Sequence, residues 1–101
     1  MKHAGAQALD ALEPLLERLR DLGGLREKTR GVFYLKSRSF LHFHEDPSGF
    51  YADIRAPDGG DFDRLKLEGP EAEAALVARA SAALRRNGDL TESDRRSSSL
   101  L

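Results

Sequence analysis

The sequence predicts an α+β domain: an N-terminal helix, a four-stranded antiparallel meander and a C-terminal helix, with the helices packed on one sheet face. Three observations carry this. Leucines recur every three or four residues over 9–22, the repeat of one helical face. Over 31–67 the chain changes to four short aromatic and β-branched segments separated by turn residues. From Pro70 an alanine-rich helical repeat returns. Connections as short as those between the middle segments join antiparallel neighbours, and helices set apart from such a sheet define the class.

In the first helix Leu9, Leu12, Leu15, Leu16, Leu19 and Leu22 share a face, with Glu13, Glu17, Arg18, Arg20 and Asp21 opposite. Pro14 lacks a donor and crowds the preceding turn, so the regular helix either begins near Glu13 or bends there. Gly23-Gly24 supplies the left-handed stop. The strands are GVFYLK, SFLHFHE, GFYADIR and DFDRLKL, while Leu25 to Arg30 either extends the first strand or forms a loop. Asp46-Pro47-Ser48-Gly49 matches a type I turn at its first, second and fourth positions. Ala56 to Asp61 is a longer turn with two permissive glycines. Ser37-Arg38 is less typical, offering neither Gly nor Asn for a positive φ. Pro70 suits the first helical position, and Glu71 and Glu73 suit the positive end of the helix dipole. Ala72, Ala75, Leu76, Ala80, Ala83 and Leu84 then form a small-residue face, and Asn87-Gly88 ends the helix. A single domain over 1–88 is followed by a flexible tail over 89–101, whose serines and charges offer little to bury.

Composition narrows the function. One hundred and one residues make one small domain, and a net charge of −1 creates no long-range field for nucleic acid or anionic membrane. The absence of cysteine removes disulfides, thiolate catalysis and thiolate zinc sites. No apolar run is long enough for a membrane span, and the first nineteen residues lack the apolar centre of a secretory signal. A cytoplasmic protein is the simplest expectation. Twelve arginines against four lysines suggest a GC-rich bacterial genome.

Function centres on FLHFHED, residues 40–46. Alternation sends Leu41, Phe43 and Glu45 to one face and Phe40, His42 and His44 to the other. If Glu45 pairs with Phe50, then Phe43 meets Ala52 and Leu41 meets Ile54, a consistent apolar set. On the other side His44 meets Tyr51, His42 meets Asp53 and Phe40 meets Arg55. A bulge at Gly49 would instead slip the pairing by one residue and exchange the faces. The first register satisfies the hydrophobic pattern and is preferred.

Three chemistries use this face. His42 and His44 converge on one ion if Asp53 adds an oxygen or orients His42, although a catalytic zinc takes three protein ligands. Glu45 points away, and His3 lies in a terminus expected to fray. The same His42–Asp53 pair would serve acid–base catalysis, but neither Ser37 nor Ser39 sits in a nucleophile motif. Tyr34, Phe40 and Tyr51, with Lys36, Arg38 and Arg55 nearby, would stack and neutralise a nucleic-acid strand. The charge balance, the acid at Asp53 and the missing RNA-recognition strand signature oppose that. The bland alternative is an ordinary charge-assisted cross-strand pair.

The span Gly31 to Leu84, quoted as GVFYLKSRSFLHFHED, GFYADIR, DFDRLKL and GPEAEAAL, resembles small bacterial proteins of α-β(antiparallel)-α plan. Its element order and the hairpin FYLKSRSFLHF are similar to YjbR/MmcQ-type domains, which share a CyaY-like plan. The family's aromatic-rich C-terminal segment, with its histidine and tryptophan, is missing, and the chain has no tryptophan. The resemblance implies the fold. It also implies DNA binding, which the charge balance argues against.

The leading expectation is a non-enzymatic binding domain, without a cofactor, using the sheet face that no helix covers. Tyr34, Phe40, His42, His44, Tyr51, Asp53 and Arg55 are its candidate residues. A protein or small molecule would bind there, with homodimerisation the commonest way to hide such a face. The alternatives are a metal or acid–base site at His42, His44 and Asp53, and a weak nucleic-acid binder. Two histidines on the face would also make partner binding respond to pH near neutrality.

Overall fold

A computed structural model describes the backbone of residues 1–100 and the side chains of residues 1–87. The order is β1 (Lys2–His3), α1 (Ala6–Asp21), β2 (Leu25–Thr29), β3 (Val32–Leu35), β4 (Arg38–Asp46), β5 (Gly49–Arg55), β6 (Phe62–Lys66) and α2 (Gly69–Leu100). The fold is α+β, with an antiparallel sheet in the order β2-β3-β4-β5-β6 and β1 paired to β4. The helix stop expected at Asn87-Gly88 is not observed, because α2 runs through it to Leu100; the side chains of the expected tail over 89–101 lie outside those described. Among the described residues, no helix is long and apolar enough to cross a membrane.

The helical leucines do what their spacing implies. Leu12, Leu15, Leu16 and Leu19 of α1 join Leu76, Ala80 and Ala83 of α2 in one buried cluster with Phe33, Leu41, Phe43, Ala52 and Ile54 of the sheet. The last four occupy the apolar face of the register expected for β4 and β5. Five pairs of that ladder match it, from Leu41↔Ile54 to Glu45↔Phe50; the ladder also extends to Asp46↔Gly49, where a loop is expected, and the expected Phe40–Arg55 pair is not part of it. Asp46 Oδ2 accepts from Ser48 N–H and Oγ–H at 3.1 and 2.6 Å, which fixes the tight turn and with it the register.

The four-strand expectation needs two additions. β2 is a strand in its own right, held at Glu27, whose carboxylate accepts from Arg20 of α1 and from the Gly31 amide. Gly31 has a φ of 81°, and a Cβ there would lie 2.7 Å from Leu9 Cδ2, so the turn into β3 requires glycine. β1 exists because β4 has nine residues and β3 only four. The half of β4 that β3 leaves unpaired takes Lys2 opposite Glu45 and His3 opposite His44. Ala4 N–H donates to Phe43 O at 3.0 Å, and Gly5 N–H donates to Glu45 Oε2 at 2.6 Å. Glu45 thus faces away from the histidines, as expected, and anchors the entry to α1.

Two further details differ from the pattern. Helix α1 runs continuously through Pro14 rather than starting near Glu13. The proline is exposed, on the side away from the core. Phe40 is corrected: it does not lie on the uncovered face but is 4 % exposed within the core cluster. The β3–β4 ladder shifts register between Phe33↔Leu41 and Tyr34↔Ser39, leaving Phe40 as an extra residue on β4. Such a bulge breaks strict alternation.

Candidate functional site

The face opposite the helices is a grid of cross-strand neighbours. One row reads His3, His44, Tyr51 and Lys66, and the next reads His42, Asp53 and Arg64. Its centre is Asp53. The expected His42–Asp53 pair is present, with Nε2 at 3.4 Å from Oδ2. His44, two residues along the same face, places its Nε2 closer to the same oxygen, at 3.1 Å. Arg64 completes the set, donating from Nε to Oδ1 at 2.8 Å and from Nη2 to Oδ2 at 2.9 Å.

The third histidine joins them. His3 stacks on His44 with ring centroids 4.6 Å apart and lies 5.7 Å from His42, while His42 and His44 meet edge-to-face at 5.0 Å. Phe62 closes the other side of His42, 4.9 Å away edge-to-face. All three histidines of the chain therefore gather at one spot. This cover leaves His44 and Asp53 only 8 % exposed each, although no helix lies above them.

The electrostatics follow from this packing. Hydrogen bonding from the Arg64 guanidinium holds the Asp53 carboxyl below the usual carboxylate range, against the opposing effect of burial. Burial pushes His42 below the ordinary histidine range, and the attraction of Asp53 only partly offsets it. The cluster is thus an ionised carboxylate beside an imidazole that resists protonation. His44 Nδ1 is buried without a hydrogen-bond partner. This fits a ring whose Nε2–H donates to Asp53 and whose other nitrogen is a bare lone pair, the cheaper group to leave unpaired.

The remaining candidate residues divide. Tyr51 lies beside His44 in the grid, and its hydroxyl pairs with Ser48 Oγ at 2.7 Å. Tyr34 is on the same face but carries the Lys28 ammonium 4.0 Å above its ring, where a base would stack. Arg55 packs over Phe62 at 4.4 Å and donates to the backbone oxygens of Ser39 and Gly60. Lys36 and Arg38, expected beside the aromatic face, line a separate cleft together with Ser37 and Ser39. That removes both the proposed stacking platform and the nearest nucleophiles from the histidines.

Sequence reasoning missed His3, Arg64 and Phe62. Arg64 and Phe62 follow from the sequence when the register at Asp53 is extended across one more turn, to Asp53↔Arg64 and Arg55↔Phe62. His3 does not, because its place depends on how much of β4 the third strand leaves unpaired.

Comparison of the chain with family models, curated proteins and solved structures finds no match.

Proposed function

We propose that the chain is a binding domain that works through the sheet face opposite its helices, and that a divalent transition-metal ion is the ligand at its centre. His42 Nε2, His44 Nε2 and Asp53 Oδ2 are the donors. The observation that carries this is their spacing. A tetrahedral ion with bonds of about 2.0–2.2 Å has ligand-to-ligand edges of about 3.4 Å. The two nitrogens stand 3.4 and 3.1 Å from the shared oxygen, so both nitrogen–oxygen edges match, and the three residues offer ligand atoms within 4.8 Å of one another. Arg64 remains on Oδ1 as an outer partner that orients the carboxylate, the arrangement by which metal sites fix their ligands. His3 stacks on His44 beside the set but is not among the residues whose ligand atoms converge.

Loading has a cost that bounds the affinity. An ion on Nε2 moves each imidazole proton to Nδ1, and in His44 that nitrogen has no acceptor. An unpaired buried donor costs about 1–3 kcal/mol, or roughly one to two powers of ten in binding. A micromolar rather than nanomolar site is expected. Cobalt(II) titration tests it: a saturable visible band of tetrahedral intensity should appear and be displaced by zinc. His42→Ala, His44→Ala and Asp53→Ala should each abolish the band, whereas unchanged spectra in all three would refute the assignment.

A second reading concerns what else covers this face. Tyr51 and Phe62 are half-buried there beside the cluster, and a second copy of the chain would hide them. Sedimentation equilibrium decides this: a monomer persisting at high micromolar concentration would exclude the dimer.

A further inference from the structure

At the other end of the β3–β4 hairpin lies a cleft of about 450 Å3, between the Lys36-Ser37 turn, the loop after β5 and the stretch of α2 around Ala83 and Arg86. It shares no residue with the histidine cluster. We infer that this cleft binds a small organic phosphate, an anion of at least two charges carrying an apolar body.

The charge of the lining comes first. Lys36, Arg38, Arg55 and Arg86 surround the cleft against one acid, Asp58. Asp58 already accepts from the Gly60 amide at 2.8 Å. A local excess of three positive charges in a chain of net charge −1 is a pronounced segregation.

The cations also differ in duty. Arg55 donates to the oxygens of Ser39 and Gly60, and Arg38 Nη2 donates to Gly59 O at 3.0 Å, so these two tie the loop to the sheet and hold the walls in place. Each keeps further guanidinium donors. Lys36 and Arg86 are exposed and make no hydrogen bond or ion pair among the described residues. They are the charges left for a ligand. Lys36 also has a φ of 59°, an unusual backbone for a side chain with a Cβ. The strain falls at the rim of the cleft, where such residues cluster around ligands.

Shape and polarity select the class of anion. Leu35, Phe40 and Ala83 form an apolar wall, and the volume lies within the range of small-molecule sites, well above that of a bare phosphate ion. A ring or short chain would lie against that wall, with the phosphate at the rim between Lys36 and Arg86 and the hydroxyls of Ser37 and Ser39 close by.

Phenyl phosphate, inorganic phosphate and phenol serve as probes in parallel amide-NMR titrations of the full chain. Phenyl phosphate should saturate at millimolar concentration or below, shifting the amides of Lys36 to Ser39 and of Gly59 to Gly60. Inorganic phosphate should shift the same amides more weakly, and phenol should leave them unmoved. Lys36→Gln and Arg86→Gln, both surface changes, should each weaken phenyl phosphate about fivefold, the size of one partly exposed charge contact. Arg26→Gln, on β2, should not. Equal weakening by all three substitutions, equal binding of phenol, or shifts scattered over the arginines and lysines of the whole chain would overturn the inference.

Discussion

At the scale of the residue, Asp53 decides the character of the sheet face, because three side chains are arranged around one carboxylate. Replacing it with Asn removes the charge that Arg64 and the imidazoles answer, and should lower stability by about 1–3 kcal/mol in urea unfolding. Acid should act in the same direction. His42 protonates less readily folded than unfolded, because burial opposes its charge. The stability this represents is present above the unfolded value near 6.5 and is lost as pH falls below it. Asp53 faces His42 and favours its protonation, while His44, His3 and Arg64 oppose it. The depressed carboxyl of Asp53 adds a second loss, beginning below its own unfolded value near 3.9. The urea midpoint should therefore fall between pH 7.5 and 5.5, and more steeply below pH 4. His42→Gln should flatten the first step; a midpoint that rises on acidification to pH 5.5 would contradict this account of His42.

At the scale of the element, two features test how the sheet is positioned. β1 is only two residues long, yet it brings His3 to the cluster. Its hold depends on Glu45, which accepts from Gly5 N–H and pairs with Lys2 at 3.8 Å. Glu45→Ala should accelerate hydrogen exchange at Ala4 and Gly5 while leaving the β4–β5 ladder protected. Pro14 interrupts the α1 hydrogen-bond ladder from an exposed position. Pro14→Ala restores a donor and should raise stability by about 1–3 kcal/mol, read as a higher melting temperature. The sequence made α1 and the β4–β5 hairpin legible because each is governed by local periodicity and turn chemistry. It hid β1 because two residues carry no periodicity. It misplaced Phe40 because the bulge breaks the alternation of β4 at that residue, putting Phe40 and Leu41 both in the core, and no turn residue in the sequence marks it.

At the scale of the whole molecule, helices and sheet divide the labour. One side of the sheet is sealed by Leu12, Leu16, Leu76 and their neighbours, so Leu16→Ala should cost about 2–5 kcal/mol without altering the site's chemistry. The other side holds polar residues that a folding core alone does not call for. The residues of the metal set are legible in strand register alone, since His42, His44 and Asp53 follow from one turn and an alternating pattern. Their convergence with His3 and Arg64 was not legible, because it depends on contacts between elements up to about forty residues apart. The most direct test is nitrogen-15 NMR of the imidazole rings during zinc titration. The account predicts that Nε2 of His42 and of His44 move together and saturate at one equivalent, with the ring protons moved to Nδ1. Zinc that perturbs His3 alone, or leaves both Nε2 resonances in place, would contradict it.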